Sequence, residues 1–408
     1  MTNMQSHTEN KYKDYYNQAT TNLSLKKYDE AIANYNKTIR LIPDDENSYK
    51  ERSYSYKERS YRFLGVAFYE KGEPDRAIEH YKKSLELKQD NAYTYNHLGK
   101  AYMAKGEIDR AIEFYNRSID LDPYNSQVYS NRGNAYLQKG EEDLAIADYT
   151  KALELRYDNT RALQNRAAIY ITRNEADLAL NDLNKLVEVR PNLADGYYHR
   201  GMALKLKGKL DHAIDDYTKA IKLKPDYVDA YLERGIVYNK KGEFDQAFAD
   251  FEKAIELAPS NFKGYNNRGI VYRIKREYDL ALNDFNRGIE LDADNFKLYV
   301  NRGTAYINTS EFDLAIKDFN KALELNPNDP VAYYNRGVAN VLKGELDSAY
   351  QDYTKAIALY PDFVEAYAAR GKLLNKKGEL KNATEDFNRV LEINKITTEA
   401  ISTPSQFA

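Results

Sequence analysis

Arginine and aspartate recur together through most of this chain, and at short range such residues form ion pairs or bind acidic ligands. An arginine recurs at eight equally spaced positions, and an aspartate follows each of them at one constant interval. The arginines are Arg132, Arg166, Arg200, Arg234, Arg268, Arg302, Arg336 and Arg370. The aspartates are Asp148, Asp182, Asp216, Asp250, Asp284, Asp318, Asp352 and Asp386.

Three further units lack both charges, which indicates that the two positions face each other. They combine Gln18 with Asn34, Leu64 with His80, and Leu98 with Phe114. A salt bridge between partly buried helices explains the pairing, with an attraction of about 4 kcal/mol that desolvation largely cancels. An arginine ladder for acidic ligands is the alternative, although every arginine has its own carboxylate. We therefore predict structural ion pairs, including Arg268–Asp284, Arg302–Asp318 and Arg336–Asp352.

Residues that would support catalysis or metal binding do not form a recognisable site. The five histidines are spread along the chain without metal-ligand spacing, and we expect each to be an ordinary helix-surface residue. The chain has no cysteine, no glycine-rich phosphate loop, no Gly-x-Ser-x-Gly and no His-Glu-x-x-His sequence. We therefore predict a protein that is not an enzyme and that uses no metal or cofactor.

The charged positions belong to a longer repeated unit, for which residues 228–261 serve as the type. Apolar and small residues three or four apart predict a first helix around Gly235, which Lys-Lys-Gly at 240–242 ends. A second helix carries Ala247, and Pro259 terminates it. A small residue and, at a fixed distance after it, an alanine recur in all eleven units, so the two helices must cross closely. Such a unit buries its apolar faces only by stacking on copies of itself.

This pattern resembles the tetratricopeptide repeat family over residues 12–397. One unit carries the family's signature as Tyr333, Gly337, Ala349, Tyr353, Ala356 and Pro361. The family's common tryptophan is tyrosine in ten of the eleven units and leucine in the other. The resemblance implies an all-α fold, a right-handed superhelix of antiparallel helix pairs whose first helices form a concave wall. It also implies binding of other proteins or peptides and no chemistry.

The resemblance further implies which side chains line that wall. Asparagine stands two residues before the small position in several units, and its amide offers a donor and an acceptor to a peptide backbone. The expected wall residues are Asn131, Asn165, Asn267, Asn301 and Asn335, with the apolar residues Ile270, Ile274, Ile307, Val338 and Val341. Alternatively, local helix contacts alone favour asparagine at this position.

Two classes of function stay open at this point. The first is a non-enzymatic scaffold that binds an extended peptide segment of a partner in its concave groove. The second is a structural assembly module or regulatory subunit that packs its ends or convex face on folded partners. The lysine, asparagine and arginine set with which family members grip acidic chaperone C-termini is not reproduced by any three successive units, so that activity is disfavoured.

Composition excludes other partners and suggests a compartment. Charged residues make up 30% of the 408, and their net charge is −3, so no basic field attracts nucleic acid or an anionic membrane. No apolar run approaches the roughly 20 residues of a membrane span. The first residues lack the apolar core of a secretory signal. We therefore predict a cytoplasmic protein without membrane insertion.

The repeat array leaves three segments outside its 34-residue register. We expect residues 1–11 to be a flexible tail and 398–408 to be a C-terminal tail. A 12-residue insertion lies at about 46–57, where the sequence SYKERSY of 48–54 is repeated at 55–61. We expect it to lengthen the first helix of the second repeat, which then projects with Tyr49 and Tyr56 on one face. A loop created by a neutral duplication is the alternative.

The last repeat has no successor within the sequence to cover it. It carries Thr384 where ten other units have an apolar or aromatic residue, as expected for a cap. We expect Leu391 and Ile393 to stay partly exposed or to be covered by a second copy of the chain. Weak self-association through the C-terminal repeat is therefore predicted.

Overall fold

The computed structural model describes residues 2–42 and 50–402, with side chains described for 7–42 and 53–395. Within these ranges the chain consists of α-helices and turns and contains no strand. It divides into two compact units, Met1–Gly208 and Lys209–Ala408. The all-α fold expected from the sequence is confirmed.

The first unit contains the helices of the first five repeats and the first helix of the sixth. They are α1 (Thr2–Ser24), α2 (Tyr28–Leu41), α3 (Lys50–Glu70), α4 (Pro74–Leu87), α5 (Ala92–Ala104), α6 (Ile108–Leu121), α7 (Ser126–Gln138), α8 (Glu142–Leu155), α9 (Thr160–Thr172), α10 (Ala176–Val189) and α11 (Ala194–Leu206). Consecutive helices pack as antiparallel pairs from α1–α2 to α9–α10, and α11 packs on α10.

The second unit contains the remaining eleven helices of the described chain. They are α12 (Leu210–Leu223), α13 (Val228–Lys241), α14 (Phe244–Leu257), α15 (Phe262–Ile274), α16 (Tyr278–Leu291), α17 (Phe296–Asn308), α18 (Phe312–Leu325), α19 (Pro330–Lys343), α20 (Leu346–Leu359), α21 (Val364–Lys376) and α22 (Leu380–Ser402). The helix α12 packs on α13, and five antiparallel pairs follow from α13–α14 to α21–α22.

The turn inside each pair has one backbone geometry. At the end of α13, the Gly242 N–H donates to the Asn239 carbonyl at 3.0 Å, and the Glu243 N–H donates to the Tyr238 carbonyl at 2.9 Å. Gly242 has a φ of 80°, the left-handed conformation that such a helix stop requires. Four turns reach this conformation without glycine, at Lys26, Asn174, Arg276 and Ser310. The predicted helix break at 240–242 is therefore found where expected.

The close crossing predicted within each repeat is present. Ala247 is fully buried, as are its counterparts in the other repeats, and a Cβ added to Gly235 would lie 2.6 Å from Cε1 of the buried Phe251. The small residue of the first helix thus leaves room for an aromatic ring of the second. Because each ring fills that space completely, the two helices of a pair have one packing arrangement.

The N-terminal region differs from the expectation. The helix α1 begins at Thr2, so the segment assigned to a flexible tail at 1–11 is helical from its second residue. The insertion is helical from Lys50, and its Tyr56 ring packs edge-on against Tyr12 and Tyr16 of α1, with centroids 5.6 and 4.9 Å apart. The extension is therefore packed on the first repeat and does not project, because Tyr12 and Tyr16 of that repeat cover Tyr56. Tyr49 lies outside the described residues.

Candidate protein-binding surface

The arginine and aspartate positions form salt bridges between the two helices of one repeat. Arg268 Nε donates to Asp284 Oδ2 and Nη2 donates to Oδ1, both at 2.8 Å. Asp284 is only 2% exposed, and its hydrogen bonds raise the pKa of Arg268 although burial opposes this. The N–H groups of Nε and Nη2, which form one edge of the guanidinium, are therefore both used by Asp284. Arrangements of the same kind join Arg132–Asp148, Arg166–Asp182, Arg234–Asp250, Arg302–Asp318, Arg336–Asp352 and Arg370–Asp386.

The same arginines also bind the preceding repeat, which the sequence analysis missed. Arg302 Nη1 donates to Asn286 Oδ1 at 2.7 Å, so this side chain joins α16, α17 and α18. The acceptors used in this way are Asn116, Thr150, Asn184, Thr218, Asn286, Asn320 and Thr354. Each precedes its arginine by the same interval in the sequence, a regularity that would have revealed the contact. With their donors used internally, these arginines are not a ladder for acidic ligands.

The first helices of successive repeats lie side by side in the second unit. The helix α13 contacts α15, α15 contacts α17, and α17 contacts α19. We call the surface of these four helices that carries Asn267, Asn301 and Asn335 the first-helix face. The three asparagines occupy equivalent positions on α15, α17 and α19, and each is half-buried. The helical repeat therefore places three amides in register on one continuous surface.

These amides differ in how much of their hydrogen-bonding capacity the protein uses. Asn301 Nδ2 donates to Asn266 Oδ1 at 2.8 Å, and Asn267 Oδ1 accepts from Asn266 Nδ2 at 3.3 Å. Asn335 makes no hydrogen bond to a described protein group, and the Asn267 amide nitrogen is likewise unused. Asn266, which the sequence analysis did not select, connects the two neighbouring helices. Local contacts thus hold part of the row and leave polar groups of Asn267 and Asn335 open to a ligand.

The apolar residues expected beside these amides line the same helices and are not fully buried. Ile270 packs against the core around Phe285, while Ile274 of the same helix is 41% exposed. Ile307 packs beside the core of the next repeat, and Val338 and Val341 pack beside that of the following one. Each side chain is therefore anchored on its inner side and presents an apolar edge outward.

In the first unit the expected asparagines have a different environment. Asn131 is only 5% exposed, donates to Asn96 Oδ1 at 2.9 Å and accepts from Gln127 and Arg161, so its side chain is buried and its oxygen is fully used. Asn165 donates to Asn134 Oδ1 at 2.6 Å. It lines an open pocket of about 340 Å³ with Asn134, Thr160, Arg161, Gln164, Arg190 and Leu193. Asn131 therefore has no capacity left for a peptide backbone.

Two histidines contradict the expectation of ordinary surface residues. His80 stacks on Phe68 with ring centroids 5.0 Å apart, and burial lowers its pKa to about 4. His97 lies against Tyr93 and Tyr81, and burial lowers its pKa to about 3. Both rings are packing elements between aromatic side chains. Among residues 2–42 and 50–402, no three His, Cys, Asp or Glu side chains are grouped so as to hold a metal ion.

The described helices also bear on membrane insertion. None of them combines the length and apolar character that crossing a bilayer requires.

Stacked antiparallel helix pairs define a class of protein, the helical-repeat proteins. Sequence models described as TPR repeat and tetratricopeptide repeat match most of the chain. The matched segments are 15–45, 65–106, 99–140, 126–156, 202–242, 228–261, 251–283, 296–329, 330–363 and 364–397. The chain therefore belongs to the tetratricopeptide repeat family, as its resemblance indicated.

Solved structures of other proteins are similar to this chain. The structure of the APC/C hetero-tetramer Cut9–Hcn1 contains a chain that is 15% identical, with 92% of each chain covered and a TM-score of 0.52. YrrB, described as a TPR protein with an unusual peptide-binding site, is 25% identical over 46% of this chain and 96% of its own, with a TM-score of 0.42.

A curated relative is similar over a shorter stretch. Small glutamine-rich tetratricopeptide repeat-containing protein 2 of Saccharomyces cerevisiae is 35% identical over 78 residues. This stretch is 19% of either protein, so the chain spans about a fifth of the length of that relative.

Proposed function

We propose that this protein is a non-enzymatic scaffold and that the first-helix face binds an extended peptide segment of a partner protein. The observation that carries the proposal is the row Asn267, Asn301 and Asn335 on three neighbouring first helices, in which the Asn267 amide nitrogen and the whole Asn335 amide remain unused. An asparagine amide donates to a backbone carbonyl and accepts from a backbone N–H, so a row of them holds a peptide irrespective of its side chains.

The apolar residues beside the row give the same surface a second property. Ile307 and Val341 add apolar contact area at matching places on α17 and α19, and Ile274 adds more near the end of α15. Backbone hydrogen bonds combined with shallow apolar contacts are what binding of an extended segment requires. We infer that the peptide runs across the helices, because the amides that would hold its backbone are on different helices.

We expect the triple variant Asn267→Ala, Asn301→Ala and Asn335→Ala to lose at least about tenfold in peptide affinity, since several hydrogen bonds of about 1 kcal/mol disappear together. The measurement is binding of random peptides displayed on phage and selected on the full chain. The matched control is Asn181→Ala, Asn283→Ala and Asn382→Ala, three exposed asparagines of second helices. Both variants should keep the wild-type helicity. Equal peptide binding by the two triples would remove the first-helix face as the site.

Exposed apolar side chains of the last repeat support a second mode of association, between two copies of the chain. Phe387 is 37% exposed, although its counterparts Phe285 and Phe319 are fully buried by the repeat that follows them. Leu391 is 66% exposed and Ile393 only 8%, so the two residues expected to be exposed together are separated. The helix α22 continues to Ser402 beyond the repeat end at 397 and leaves Phe387 and Leu391 uncovered.

We therefore propose weak self-association through α22 and expect the sedimentation coefficient of the full chain to rise with concentration. Replacing Leu391 with glutamate should abolish the rise, because a charge would be placed in the contact. Arg276→Glu, in a turn far from α22 in sequence, serves as the control. A wild-type protein that sediments as a monomer over a wide concentration range would contradict this mode.

A further inference from the structure

Arg273, the penultimate residue of α15, is a half-buried guanidinium without a partner. Its Nε is buried and makes no hydrogen bond, and no ion pair to any described carboxylate is formed. The arginines one residue before the small position contrast with it, because each of those is held by an aspartate or a neighbouring amide or hydroxyl. Burial lowers the pKa of Arg273, and the Tyr278 hydroxyl is the group that opposes this. An arginine nevertheless stays charged at neutral pH, because a guanidinium does not lose its proton in proteins.

Helix geometry places Arg273 on the first-helix face. Asn266, Ile270 and Arg273 are separated by four and then three residues, so they lie on one side of α15. Asn266 is the residue that Asn301 of α17 contacts. Arg273 therefore continues, toward the end of the helix, the surface on which the asparagine row lies.

The neighbouring repeat adds a second unsatisfied polar group at the equivalent position. Asn239 occupies in α13 the place that Arg273 occupies in α15, and its Oδ1 is buried without a hydrogen-bond partner. Buried polar groups in proteins are nearly always paired, and each exception calls for an explanation. Here two exceptions occupy matching positions on adjacent helices.

Packing does not require an arginine at this position. The same place in the repeat is occupied by Ile171, Ile307 and Val341, so an apolar side chain fits the fold. Leaving a charge half-buried without a counter-ion costs stability that these repeats avoid. The absence of a structural reason for the charge, and its position on the peptide-binding face, favour a role in binding an anion.

We propose that Arg273 binds the carboxylate of an aspartate or glutamate side chain in a peptide that lies on the first-helix face. In this arrangement the guanidinium donates to the carboxylate. The assignment rests on the proposed function of the face. The assignment adds side-chain specificity to that function. The asparagine row contacts only the peptide backbone, whereas Arg273 selects an acidic residue.

The test uses three pools of random peptides with blocked ends that differ in one fixed central residue, glutamate, glutamine or lysine. Each labelled pool is titrated with the full-length protein, and its fluorescence anisotropy gives the affinity. The wild-type protein should bind the glutamate pool about tenfold more tightly than the glutamine pool, as one charged hydrogen-bonded contact provides. Arg273→Ile should remove this preference and leave the affinity for the glutamine pool within about twofold.

Two further variants separate the contact from general effects. Arg273→Gln keeps a long polar side chain without the charge and should lose the glutamate preference equally. Arg287→Ile, at an exposed position of α16, makes the same change in net charge and should keep the preference. The melting temperature of Arg273→Ile should equal or exceed that of the wild type, because an unpaired charge is replaced by the residue found at 307.

The outcomes distinguish the two proposals. A glutamate preference that survives in Arg273→Ile, or that disappears equally in Arg287→Ile, would overturn the assignment of Arg273. So would binding that depends on the asparagine row but does not discriminate between the pools. Failure of all three pools to bind the wild-type protein would instead overturn the proposed function of the face.

Discussion

Replacing Arg268 with leucine is expected to lower the free energy of unfolding by about 3–5 kcal/mol, the range found when one member of a buried ion pair is removed. Asp284 would be left with its charge and without its two hydrogen bonds at 2.8 Å. Because it is 2% exposed, water cannot replace them. Denaturant unfolding followed by circular dichroism gives the loss, and hydrogen exchange should place it in α15 and α16.

The repeat that contains Leu98 and Phe114 provides the rescue for this variant. There the two positions are apolar, and Phe114 stacks on Tyr95 and Tyr102 with centroids 6.2 and 5.2 Å away. Tyr265 and Tyr272 occupy the equivalent places in the repeat of Arg268, so Arg268→Leu with Asp284→Phe should recover most of the lost stability. Arg287→Leu, in an exposed pair with Glu290, should change it by no more than about 1 kcal/mol. A double variant no more stable than Arg268→Leu would show that the two positions are not coupled.

Replacing Gly269 with leucine should destabilise the protein by about 3 kcal/mol, at the upper end of the overpacking range. A Cβ alone at this position would lie 2.8 Å from Cε1 of Phe285, whose side chain is fully buried. The leucine side chain adds three more atoms in the same space, so α15 and α16 must separate. Thermal unfolding of the full chain provides the measurement.

Another repeat shows how the same crossing accepts a larger residue on the first helix. Ala167 and Leu183 occupy the two positions there, and both are fully buried. The double variant Gly269→Ala with Phe285→Leu should therefore cost less than about 1.5 kcal/mol, as volume-conserving exchanges do. If Gly269→Leu melted like the wild type, the crossing would not be set by the contact between this glycine and the ring.

Most of the fold was predictable because a repeat displays its own constraints many times. The periodic small residues and alanines identified the helix crossing, since only a shared packing requirement repeats at a fixed spacing. The glycine at 242 and its counterparts marked the turns, because the left-handed conformation favours that residue. Three repeats lack both the arginine and the aspartate of the ion pair. This joint absence was enough to indicate that the arginine and aspartate positions face each other.

The ends of the chain were less predictable. The low apolar content of residues 1–11 suggested a flexible tail, whereas α1 begins at Thr2, and the sequence did not reveal that the lengthened α3 would pack on α1. The contact between Tyr56 and Tyr16 joins residues far apart in the sequence and occurs once in the described chain. A contact that does not repeat leaves no periodic signal in the sequence.

The sequence by itself determined the helix pairs, their turns, their crossings and the residues that face each other inside a repeat. Helix geometry converts residue spacing directly into faces, so these features need no knowledge of the surroundings. Only the tertiary structure decided which polar groups remain unused. Asn131 and Asn335 occupy the same repeat position, yet the first amide is bonded to three side chains and the second has no partner. The difference arises from the side chains that neighbouring helices bring near them, such as Asn96 and Arg161, and the same is true of the isolation of Arg273. Hydrogen-bond satisfaction depends on all the groups within about 3 Å of an atom, and these come from helices distant in sequence.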